Sequence, residues 1–109
     1  MKIIYNNIIP FKGFTAINLF GVLFVRANNR IDKYIINHET IHTRQIKELF
    51  YFPFYIIYFL EWIVRMIQKR DFYKAYRAIS FEKEAYENES DLTYLKKRKA
   101  CQWIKYWIK

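Results

Sequence analysis

Asp32-Lys33-Tyr34-Ile35-Ile36-Asn37-His38-Glu39-Thr40-Ile41-His42-Thr43-Arg44-Gln45-Ile46-Lys47-Glu48-Leu49-Phe50 is the stretch that decides the fold. Asp32 is a good N-cap, and the segment from Lys33 to Phe50 reads as a helix. Ile35, His38, His42, Gln45, Ile46 and Leu49 recur at helical spacing and form one face. Within it lies His38-Glu39-Thr40-Ile41-His42, an HExxH, which holds both histidines of the chain. Residues four apart on a helix share a face, so both imidazoles can address one ion. Glu39 then lies beside the ion, where it can polarise a bound water. Average composition gives such a string by accident in roughly a few 100-residue chains per thousand, so chance is a poor account of it.

Outward from this helix, the residue before a proline avoids helical angles, so Phe52-Pro53 ends it. A second helix is expected from about Pro53 to Lys69, with proline at a favoured first position. The join is short, which predicts antiparallel neighbours. A third helical region is expected from about Asp71 to Glu89, with a possible break at Ser80, and a fourth from about Leu92 to Ile108. Upstream, Phe20 to Arg26 reads as a strand and Lys2 to Ile9 as a weaker one. Pro10 and Gly13 punctuate the link between them, and Ala27 to Arg30 reads as a turn. The fold class is therefore mainly α with a small N-terminal β element, an α+β arrangement. It forms one domain over residues 1–109, β-rich to residue 30 and helical from residue 31.

Composition agrees. At 109 residues there is room for one modest core. Gly and Pro occur twice each, too few for many turns. Aromatic residues make up 21% of the chain, more than a small core hides, so some should meet a groove, a partner or a membrane. The net charge of +9 favours anionic partners. Residues 82–91 are acidic, whereas Lys96 to Lys109 carries no acid. Cys101 has no internal partner for a disulfide, which gives no sign of an oxidising compartment. The N-terminus makes a poor signal peptide.

Leu49 to Ile67 is apolar, but about fifteen helical residues after Pro53 give only about 22 Å, short of the roughly 30 Å hydrocarbon layer. Glu61 and Arg65 also sit inside it, and an ion pair in hydrocarbon is expensive. A core or interfacial helix is the favoured reading over a span. The expected location is cytoplasmic or membrane-associated.

A catalytic Zn²⁺ needs a third protein ligand, with water as the fourth. No further histidine and no useful cysteine remain, so the ligand must be an acid. Glu82 has Ala78 and Ile79 one turn before it and Ala85 and Tyr86 one turn after. A carboxylate on that small apolar face is costly to bury unless a metal compensates it. Glu84 shares its face with Arg77 and Asn88 and reads as more solvated. Glu82 is favoured, then Glu84; Glu89, two turns on, is a candidate to support a ligand. The bland alternative is an acidic run that solvates a helix.

HExxH followed by a downstream helix carrying Glu-x-x-Ala-Asp is the pattern of gluzincin metallopeptidases, and Glu82-Lys83-Glu84-Ala85-Tyr86 resembles it. The chain also looks like small bacterial HExxH proteins. The resemblance implies a Zn²⁺-dependent peptidase with His38, His42 and Glu82 as metal ligands, Glu39 as the catalytic base, and a peptide or protein as substrate. It also implies that the Phe20–Arg26 strand lies beside the site and offers its edge to an extended chain. The departure is Tyr86, which stands where the family has an aspartate that orients a zinc histidine. Tyr76, Arg77 and Tyr86 are the candidates for stabilising an oxyanion.

The competing expectation is a non-catalytic metal-binding or membrane-surface protein. Lys96-Lys97-Arg98-Lys99 followed by Trp103, Ile104, Trp107 and Ile108 would make a basic, aromatic helix suited to anionic lipid. The alternative for that tail is a terminal helix docked on the core. Nucleic-acid binding has only charge and aromatics behind it and is not expected.

Overall fold

The computed structural model describes residues 2–8, 16–26 and 31–107. They form a mainly helical α+β fold, as the sequence reading expects. A three-stranded sheet of β1 (Lys2–Asn6), β2 (Ala16–Leu19) and β3 (Val22–Arg26) precedes five helices. These are α1 (Lys33–Glu48), α2 (Phe52–Lys69), α3 (Phe72–Ala78), α4 (Ser80–Asn88) and α5 (Tyr94–Lys97), with a 3-10 helix over Gln102–Tyr106.

The sheet order is β1-β3-β2, with β1 parallel to β3 and β2 antiparallel to it. The expected strand from Phe20 to Arg26 begins only at Val22. Phe20 and Gly21 form a two-residue turn, both with positive φ, and Leu19 pairs with Val22 across it. Hairpin turns of this length favour positive φ because their twist matches that of the strands. Gly21 takes its φ of 91° without cost, whereas Phe20 at 54° does not. β3 is therefore the central strand with both edges used, and the edge expected from Phe20–Arg26 belongs instead to β2. The weaker strand ends at Asn6, and the expected features at Ile9, Pro10, Gly13 and Ala27 to Arg30 lie outside the described residues.

Asp32 caps α1 as its sequence suggests, accepting from the backbone N–H groups of Tyr34 and Ile35. The helix stops at Glu48, two residues before the expected Phe50. Phe50 and Tyr51 both take positive φ, and the Tyr51 N–H returns to the Ile46 carbonyl. That tight link turns the chain by 111° between α1 and α2, so the two helices are not the expected antiparallel pair. Among the described residues no single helix is long and apolar enough to cross a membrane.

The predicted break near Ser80 falls one residue earlier. Ile79 has ψ of 133°, is fully buried, and divides α3 from α4. The Glu61 carboxylate, on the inner side of α2, accepts from both the N–H and the Oγ–H of Ser80 and caps the new helix. The core gathers around this joint, with Ile46, Phe54, Ile79, Phe81 and Trp103 packed together.

The tail is not one helix from Leu92 to Ile108. Arg98 is extended and Cys101 is left-handed, which separates α5 from the 3-10 turn. Trp103 packs on Phe81 in the core, while Trp107 remains partly exposed. The expected shared face of Trp103 and Trp107 does not form, because a 3-10 turn aligns residues three apart and buries Trp103 with Tyr106.

Candidate metal centre

α1 presents His38 and His42 one turn apart, and α4 packs across it and presents Glu82 from its first turn. The positive end of the α4 dipole favours a carboxylate there. The three side chains converge. His38 Nε2 lies 3.1 Å from His42 Nε2, and Glu82 Oε1 is 3.3 Å from the first and 3.0 Å from the second. All three residues are buried, and together they form a group that can hold a metal ion. Ligand atoms placed about 2.0–2.1 Å from a tetrahedral ion stand roughly 3.3 Å from one another, so the observed spacing fits such an ion.

The outer nitrogens are already committed. His38 Nδ1 is 2.9 Å from Glu89 Oε1, and a carboxylate only accepts, so Nδ1 carries the proton. His42 Nδ1 is 2.8 Å from Gln45 Oε1. The amide orientation of Gln45 follows from its other partners, since its Nε2 donates to the Phe81 carbonyl and to Glu84 Oε1. Its oxygen must then face His42 and accept. Both imidazoles therefore turn Nε2 to the common centre, the tautomer that metal ligation requires. Glu82 is steadied on its far oxygen, where the Tyr58 hydroxyl donates at 2.6 Å.

Electrostatics follow this geometry. Burial alone would lower the His42 pKa, but the Glu82 carboxylate in contact with it prevails and pushes it up to about 9. Burial would raise Glu82, yet the two imidazoles hold it well below the usual carboxylate range. Glu39 is different. Burial raises its pKa and outweighs the lowering by His42 and His38. Its Oε2 is sealed from solvent and has no hydrogen-bond partner. An orphaned carboxylate oxygen beside two imidazoles and a second carboxylate is costly unless something arrives to meet it.

Glu39, His42 and Glu82 lie at the polar end of a cavity of about 450 Å³. Its walls are mostly apolar and include Ile17 and Leu19 of β2, Phe54, Tyr58 and Tyr76. β2 is an edge of the sheet among the described strands. It is fixed to α1 by Asn18, whose Nδ2 donates to the Glu39 carbonyl and to Thr43 Oγ1.

The structure thus brings together His38, His42, Glu82 and Glu39. It puts Glu89 on His38, filling the orienting role left open by Tyr86, whose ring instead packs edge-on against the His38 ring at 4.5 Å between centroids. Glu84 is not in the group and is not solvated. It is fully buried, bound to Arg98, Tyr94 and Gln45. The helical wheel placed it beside Arg77 and Asn88, but Arg98 arrives from a segment that no local spacing reveals. Arg77 is exposed and stacks over Tyr86, while Tyr76 reaches the cavity. Tyr58 and Asn18 were not legible as site residues. Tyr58 is one of ten tyrosines, and its only signal is its place one turn from Phe54 on the side of α2 that carries Glu61.

No protein-family model, curated protein or solved structure matches this chain.

Proposed function

We propose that this chain is a Zn²⁺-dependent hydrolase acting on peptide bonds, with His38, His42 and Glu82 holding the ion and Glu39 as the base. The observation that carries the reading is the orphaned Glu39 Oε2 beside a His-His-Glu group of tetrahedral spacing, at the polar end of an apolar cavity. The His2Glu donor set suits zinc, which accepts nitrogen and carboxylate ligands at four-coordinate sites. When bound, the ion supplies Lewis acidity, lowering the pKa of water and polarising a carbonyl.

The chain's own residues do the rest. Glu39 Oε2, with its pKa raised by burial, accepts a proton from the attacking water and later delivers it to the leaving amine. Tyr76 is the donor that suits a developing oxyanion. Its side chain lines the cavity with Glu39 and Glu82, and burial keeps the phenol protonated. β2 offers backbone groups to an extended substrate along the cavity wall.

The test is Glu39→Gln against wild type at matched zinc content. The variant is expected to keep its zinc and to lose about 10²–10⁴-fold in peptide hydrolysis. Equal turnover by both proteins would reject the assignment, and zinc-loaded wild type without turnover on a broad peptide library would leave a metal-binding protein and no enzyme.

A further inference from the structure

Tyr86 stands one turn after Glu82 on α4, half-buried, and offers nothing to the metal group itself. Its side chain nevertheless meets three neighbours. Its ring lies 4.5 Å from the His38 ring between centroids, with 70° between the planes. Its hydroxyl is 3.3 Å from that of Tyr76, within hydrogen-bond reach. The Arg77 guanidinium covers the ring at 3.6 Å from its centroid. Arg77 is itself tethered, since its Nη1 donates to the Tyr73 hydroxyl at 3.0 Å. Tyr86 thus ties α4 to His38 of α1 and to Tyr76 and Arg77 of α3.

His38 needs such a contact. Glu89 at Nδ1 and Glu82 at Nε2 fix two points of the imidazole. A ring held at two points can still rock about the line that joins them. The Nε2 lone pair does not lie along that line, so rocking swings it off the centre shared with His42. A second ring set nearly perpendicular, in van der Waals contact, blocks the motion. Arg77 holds the blocking ring from the other side, as cations favour the face of a phenol. Tyr76 has a similar need. Its phenol lines the cavity, and the bond to Tyr86 fixes where its oxygen sits. The Tyr76 and Tyr86 rings also meet at 83°, with 6.2 Å between centroids.

We infer that Tyr86 is a positioning residue with two targets: its ring sets the tilt of His38 toward the metal, and its hydroxyl sets the Tyr76 phenol on the cavity wall. Glu89 settles which nitrogen of His38 carries the proton; Tyr86 settles where the other nitrogen points. The action on Tyr76 rests on the hydrolase reading. The action on His38 needs only a bound ion.

Tyr86→Phe and Tyr86→Leu in the full chain separate the two actions. Phenylalanine keeps the ring, so zinc affinity by chelator competition should match wild type. Leucine removes it, and affinity should fall about two- to tenfold, the worth of one aromatic pair. With Co²⁺ in place of zinc, the visible d–d bands report ligand geometry. They should shift in Tyr86→Leu and stay in Tyr86→Phe, whereas a residue that only fills space would not move them. Arg77→Ala, at an exposed position, frees the same ring and should shift them in the same sense. In turnover, Tyr86→Phe should lower kcat about two- to tenfold with KM little changed, the worth of one hydrogen bond. It should add no further loss on a Tyr76→Phe background. Wild-type bands in Tyr86→Leu, or in Arg77→Ala if the leucine variant does not fold, overturn the action on His38. Additive losses in the double variant overturn the action on Tyr76. A wild type that binds zinc and turns over no peptide rejects the hydrolase reading and the action on Tyr76 with it, while the cobalt bands still decide the action on His38.

Discussion

Three side chains on each ring of this site decide whether it can hold a metal. The inner ring is His38, His42 and Glu82; the outer is Glu89, Gln45 and Tyr58, each fixing one inner ligand. Glu89→Gln keeps the shape but weakens the acceptor on His38 Nδ1. Loss of such a partner usually costs about 10–100-fold in metal affinity, and a chelator competition titration should find a loss of that size. Unchanged affinity would mean that Glu89 does not orient the ligand. Proton linkage gives a second expectation. In the metal-free chain His42 titrates near 9, so at pH 7 it holds a proton on the nitrogen that the ion must take. Glu82 is already ionised and gives up none. Zinc binding at pH 7 should therefore release about one proton from His42, and the release should fade as pH rises through about 9. Calorimetry in buffers of different ionisation enthalpy reads this number, and no release at pH 7 would contradict the His42–Glu82 coupling.

Elements matter through the joints between them. Arg98, in the extended link after α5, forks onto Glu48 of α1 and Glu84 of α4, and Glu84 in turn holds Gln45. One buried cation thus locks the two helices that carry the His38, His42 and Glu82 group. Arg98→Ala leaves two carboxylates without their cation, a change that costs about 3–5 kcal/mol for a buried pair. That is a large share of the roughly 5–15 kcal/mol by which domains are stable. A urea melt should show it; a loss below about 1 kcal/mol would mean that the network is dispensable. Local sequence does reveal some joints and not others. The Asp32 cap, the Pro53 start and the break near Ser80 are short-range chemistry and are readable. The Phe20-Gly21 turn is hidden because a continuous apolar run masks it and phenylalanine is an unusual residue at positive φ. The tail misleads because alternate turns of a helix and of a 3-10 segment look alike until Trp103 is committed to Phe81.

At the scale of the whole molecule, a small helical scaffold holds the His38, His42 and Glu82 group beside an apolar cavity. HExxH spacing makes His38 and His42 legible, and the small-residue neighbourhood of Glu82 separates it from the other acids. The third ligand's actual approach depends on how α4 crosses α1, which no single segment encodes. For the same reason Glu84 is misread from its own helix, and the cavity wall built by β2, α2 and α3 is visible only once the chain is folded. The most direct measurement is the zinc content of the purified chain by elemental analysis, beside that of Glu82→Ala. One ion per chain is expected for wild type, from the single His38–His42–Glu82 group among the described residues, and far less for the variant. Wild type without zinc after exposure to it, or a variant that binds as much, would contradict the account.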